Sequence, residues 1–135
     1  MFGVMDISSS ALTAMRARMN TIATNIANLQ TTRNAAGESI PYRRKEVVFA
    51  PGLQKGDDGG QGVHVAGVVE DPSPFRMVPM PGHPDADENG NVYFPNVDLN
   101  TEVVSAVIAM RAYEANVAAF EASKMMVSHA MRLLG

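Results

Sequence analysis

Apolar residues recur at steps of three and four at both ends of the chain. From Leu99, steps of four and three reach Val103, Ala106, Met110, Tyr113, Val117, Phe120, Lys124, Val127, Met131 and Leu134, so ten of these eleven positions are apolar. This spacing predicts an amphipathic helix from Asp98 to Leu134 with a coiled-coil seam. Asp98 or Asn100 supplies the N-cap, Glu102 lies in the first turn and Arg132 in the last, where the helix dipole favours each sign. A second seam, Leu12, Met15, Met19, Ile22, Ile26 and Leu29, predicts a helix from Asp6 to about Gln30, with Asp6 and Ser8 to Ser10 as capping groups. Thr31, Thr32, Asn34 and Gly37 end it.

Between the helices the pattern changes. Residues 51–96 hold seven of the eight prolines and eight of the eleven glycines, which excludes long helices and a large regular sheet. Short strands are expected within Tyr42 to Ala50, Val63 to Val69, Phe75 to Val78 and Val92 to Phe94, with a flexible turn over Gln54 to Gly62. The expected fold is mainly α: long N- and C-terminal helices forming a coiled-coil-like pair, with a small irregular β and loop insertion between them. Its parts are residues 1–33, 34–97 and 98–135 of a single unit.

The longer helix has a consequence for function. At about 1.5 Å per residue it runs roughly 55 Å, beyond the roughly 36 Å diameter of a compact chain of this size. Its apolar seam therefore needs cover from another stretch of the chain or from neighbouring subunits. An isolated subunit is then expected to be poorly ordered at its ends, because exposed seam side chains forgo several kcal/mol at about 25 cal/mol per Å2.

Composition and charge narrow the classes. A hydrophobic content of 46 % is ordinary for a folded chain. The net charge is −3, and the tight basic cluster Arg43, Arg44 and Lys45 is too small for a nucleic-acid footprint; it reads as a solvated strand end. Cysteine is absent, which removes disulfides, thiolate metal sites and cysteine nucleophiles. The first twelve residues lack the pattern of a secretory signal peptide. Arg111, Glu114, Glu121 and Lys124 within the most apolar segment argue against a membrane span.

Few side chains suggest chemistry. Asp85, Asp87 and Asn89, followed by Gly90 and Val92, copy the first eight positions of a calcium loop, but position twelve is Asn96 and Pro95 precedes it. They form either an Asx-rich turn or a weak cation site. His64, His83 and His129 have no ligand spacing, and no nucleophile or phosphate loop is visible, so no cofactor and no catalytic set is expected. Met15, Met19, Met110 and Met131 sit on the seams with Met125 and Met126 beside them, as core filling or as an adaptable interface. Lys124 either snorkels at the seam edge or fixes register against a partner carboxylate. Asn25, Asn28 and Asn116 are candidates for polar contacts that set register between subunits.

Three stretches carry a resemblance. Arg18-Met19, Asn25-Ile26-Ala27-Asn28 and Thr31-Thr32 near one end, Asn96-Val97-Asp98, Glu102, Met110-Arg111 and Tyr113-Glu114-Ala115-Asn116 near the other, and Pro81 to Asp87 running to Tyr93-Phe94-Pro95 between them resemble the axial proteins of the bacterial flagellum. Within these the chain resembles the FlgC family of proximal rod proteins. The resemblance implies a non-enzymatic subunit that is exported through the flagellar type III apparatus without signal cleavage. It also implies terminal helices that pack with other rod subunits and with further copies into a periplasmic tube, which surrounds the export channel and transmits torque. The readings open beside it are a coiled-coil adaptor and a calcium-binding interaction module.

Overall fold

The structure is a computed structural model that describes residues 2–52 and 60–135. The turn expected over Gln54 to Gly62 falls largely outside the described residues. Helix α1 spans Phe2–Ala27 and helix α2 spans Leu99–Leu134. Four strands lie between them: β1 (Lys45–Pro51), β2 (Val63–Glu70), β3 (Arg76–Pro79) and β4 (Asn91–Phe94). The two helices take up a little under half of the chain, so "mainly α" describes it only roughly.

Helix α1 begins earlier than its sequence suggests. Asp6 and Ser8 to Ser10 lie inside it, and the Ser10 hydroxyl donates back to the Ile7 carbonyl at 2.7 Å while accepting from the Val63 N–H at 3.1 Å. At α2 the expected cap is present: the Asp98 carboxylate accepts from the Asn100 N–H at 3.1 Å and the Thr101 hydroxyl at 3.0 Å.

The strands form two separate antiparallel pairs. β1 pairs with β2 from Lys45 opposite Glu70 to Pro51 opposite Val63, with a bulge between Val48 and Phe49. β3 pairs with β4 from Arg76 opposite Phe94 to Pro79 opposite Asn91. The β3–β4 connection closes on Gly90, whose φ of 77° lies in the left-handed region that a side chain disfavours. Asp87 accepts from the Asn89 and Asn91 N–H groups at 2.9 and 2.8 Å and so shapes this turn.

Asn25, near the C-terminal end of α1, meets Glu102 near the N-terminal end of α2, so the helices run antiparallel. The first strand pair packs against α1. Among the described residues the fully buried apolar side chains are few: Ala14, Ile22, Val92, Val97 and Ala109, with Pro95 beside them. A core this small leaves most of the apolar surface of α2 uncovered.

Candidate assembly interface

The helix pair packs on a different seam from the one that the large apolar residues suggest. On α2 the buried side chains are Glu102, Ala109 and Ser123, and half-buried Asn116 and Ala130 continue the same seven-residue step. On α1 they are Ser8, Ala14, Ile22 and Asn25. Small and polar side chains therefore fill the space between the helices. Ser123 and Asn116 tolerate this position because each donates to a carbonyl one turn back, Ser123 to Ala119 at 2.9 Å and Asn116 to Ala112 at 2.8 Å.

The expected seam divides between the helix pair and the open surface. Ile22 is buried, and Leu12, Met15, Met19, Ile26 and Leu29 are half-buried beside it. On α2, Tyr113, Val117, Phe120 and Val127 are half-buried. Val103 is 47 % exposed, Met110 52 % and Leu134 89 %, and Leu99, Met131 and Lys124 are exposed as well. Val104, Val107, Ile108, Met125 and Met126 extend this open face. Neither Lys124 nor any of the α2 methionines fills the space between α1 and α2. By length and composition alone α2 could also cross a bilayer.

Asn25 is not a surface residue. Its Oδ1 accepts from the Tyr42 hydroxyl at 2.7 Å and the Lys45 N–H at 3.0 Å, while Nδ2 donates to the Lys45 carbonyl at 2.8 Å and to Glu102 at 3.4 Å. The Glu102 carboxylate is fully buried and pairs with the Arg44 guanidinium. Arg44 in turn reaches Asp71 and Glu46, each at 3.4 Å, and its N–H donates to Asn96 at 2.8 Å. The reading of Arg43, Arg44 and Lys45 as a solvated strand end is therefore corrected for the two arginines: the Arg44 side chain is 17 % exposed, and Arg43 donates to the Asp71 and Ser73 carbonyls and stacks 4.2 Å from the centre of the Phe75 ring. The network ties α1, β1 and α2 together.

The electrostatics follow this burial. Burial raises the Tyr42 phenol above its ordinary value, and the Glu102 and Glu70 charges add to the effect. Burial works against the Arg44 charge, but hydrogen bonding and attraction to Glu102 outweigh it and raise its pKa. Hydrogen bonds from the Ser73 hydroxyl and N–H lower the Asp71 carboxyl, with help from Arg44.

Asn28 donates to the Thr24 carbonyl at 2.9 Å and accepts from the Thr31 hydroxyl at 3.0 Å, closing the end of α1. Beyond it, Asp85 binds inward. Thr32 donates to it at 2.7 Å and Arg33 pairs with it at 2.6 Å, which together hold its carboxyl below the usual range. With Asp85 neutralised by Arg33 and Asp87 committed to the turn, the Asp85, Asp87 and Asn89 set is arranged as an Asx-rich turn and not as a cation cage. Among the described residues no three His, Asp or Glu side chains converge as a metal site.

The antiparallel helix pair thus leaves much of its apolar surface outward. Known proteins show which family this arrangement belongs to. Residues 5–33 match the model of flagella basal body rod proteins, and residues 88–133 match that of the flagellar basal body rod FlgEFG protein C-terminal region. The flagellar basal-body rod protein FlgC of Yersinia enterocolitica is 40 % identical over 133 residues, covering 98 % of this chain and 97 % of the relative. The Bacillus subtilis protein of that name is 39 % identical over 145 residues and the Salmonella typhimurium one 39 % over 133, each covering 98 % of this chain and 97 % of the relative.

The chain belongs to the FlgC family of flagellar basal-body rod proteins. Its role is structural, in the flagellar basal body and hence in motility, and not enzymatic. The two family matches fall on α1 with its closing turn and on α2 with the β4 approach to it, the elements that the Asn25–Glu102 network joins.

Proposed function

We propose that this FlgC-family chain assembles through the outward apolar face of its helix pair, with other rod subunits and with further copies, into a hollow shaft that encloses the export channel and transmits torque. Residues 1–33 and 98–135 act as the axial helices, and residues 34–97 as the displayed region that sets subunit orientation. Export through the flagellar type III apparatus without a cleaved leader, and a periplasmic place in the rod, belong to the same reading. Side chains at Met15, Met19, Val103, Met110 and Met131 serve as adaptable contacts between non-identical neighbours.

The observation that carries this reading is the exposed apolar patch of Val103, Val107 and Met110, with Met131 further along the same side, on a helix whose inner seam is already filled by Ala109 and Ser123. Exposed apolar patches of this kind, here separated by Glu114 and Glu121, mark an association surface. The test is a strain in which Met110→Glu replaces the native chain. The variant is expected to fold with unchanged helical content, and the strain to lose swimming and isolable rods. Normal rods in that strain would refute the proposal.

A further inference from the structure

We propose that an apolar hollow in the β region receives the C-terminal end of α2 from a second copy of this chain. This inference rests on the assembly reading above and names one of its contacts. The hollow, about 370 Å3, is lined by Ser39, Ile40, Pro41, Phe75, Asp85 and Tyr93. Ile40 and Tyr93 are exposed at its rim, and Met77, opposite Tyr93 in the β3–β4 ladder, extends the apolar surface.

Charge marks its occupant. Residues 81–91 carry Asp85, Asp87 and Glu88 and no lysine or arginine. Arg33 neutralises Asp85, whereas Asp87 and Glu88 have no ion-pair partner among the described residues. Residues 124–134 have the opposite character: Lys124 and Arg132 with no carboxylate. The same stretch exposes Met126, Met131, Leu133 and Leu134, the last two at 89 %. An apolar, cationic helix end and an apolar hollow beside an anionic turn match in both respects, as in helix-in-groove recognition.

The two surfaces cannot meet within one molecule. Thr31 and Thr32, just after α1, anchor the hollow through Tyr42 and Asp85, so it lies at the C-terminal end of α1. Helix α2 runs antiparallel and is ten residues longer than α1, so its last turns project beyond the N-terminal end of α1 among the described residues. The length of α1, about 39 Å at about 1.5 Å per residue, separates them. Complementary surfaces at opposite ends of one subunit make a head-to-tail contact, which can repeat from copy to copy.

The absence of cysteine gives a clean test. A chain carrying Leu134→Cys and Tyr93→Cys, both at exposed positions, replaces the native copy, and isolated basal bodies are oxidised. Dimers and longer ladders joined through positions 134 and 93 are expected. Glu88→Lys or Arg132→Glu alone should reduce this linkage several-fold, and the two together should restore it. Rods that assemble without the linkage, or a position 134 thiol joined only to a different protein, would overturn the head-to-tail contact while leaving the assembly reading intact. Failure of that wider reading shows separately, as normal rods built from Met110→Glu subunits.

Discussion

The Glu102 carboxylate on α2 stands 3.4 Å from the Asn25 amide on α1, and neither side chain reaches solvent. Arg44 supplies the charge that makes a buried Glu102 tolerable, and Tyr42 and the Lys45 backbone satisfy the rest of Asn25. Glu102→Leu should therefore take from Arg44 its one buried partner, leaving only the longer contacts to Asp71 and Glu46, and destabilise the subunit by about 3 kcal/mol. Urea unfolding followed by circular dichroism measures this, and Glu102→Gln should cost less because it keeps the shape and one acceptor.

Asn25→Ala removes both ends of a hydrogen-bonded bridge between α1 and the start of β1. A loss of about 1–3 kcal/mol is expected for the buried groups left unpaired. Amide exchange should show the loss at Lys45, whose N–H now donates to the Asn25 side chain, before it shows it in the helices.

The inner and outer seams of α2 should respond oppositely. Ala109→Leu places a large side chain where the residue is fully buried, and should destabilise the isolated subunit by about 1–3 kcal/mol. Met110→Ala, one residue away and exposed, should change stability by less than about 0.5 kcal/mol yet weaken assembly. Denaturant midpoints and sedimentation of the two variants separate these effects.

Acid should loosen the β region. The Thr32 hydrogen bond, together with Arg33, lowers the Asp85 carboxyl below its ordinary 3.8. A lowered carboxyl stabilises the fold fully above its unfolded value, and this is lost as pH falls through the folded one. The stability of the native chain should therefore drop below about pH 4, and Asp85→Asn should flatten that part of the curve in thermal melts followed by circular dichroism.

Calcium should leave the melting temperature unchanged, because Asp85 is paired with Arg33 and Asp87 is bound to two backbone N–H groups of its own turn. A rise in melting temperature with millimolar calcium would show instead that the turn rearranges around a cation.

Sequence periodicity by itself determined both long helices, the strand positions and the cap at Asp98, since each depends on local spacing and on the backbone preferences of Pro, Gly and Asp. The Asx turn at Asp87 was one of the two readings that local residue types left open. Which face of α2 packs inward was not legible in the sequence. Large apolar residues and small ones repeat on the same helix one position apart, and a hydrophobicity pattern favours the large ones. Only tertiary structure decided for Ala109 and Ser123, because the close approach of α1 admits small side chains and leaves Val103, Met110 and Met131 outside. The tertiary structure likewise brought Asn25, expected at a contact between subunits, Arg44, expected at a solvated strand end, and Glu102, expected only as a first-turn acid, into one buried network. Their mutual hydrogen bonds and opposite charges span 77 residues of chain, and no local pattern records such a distance.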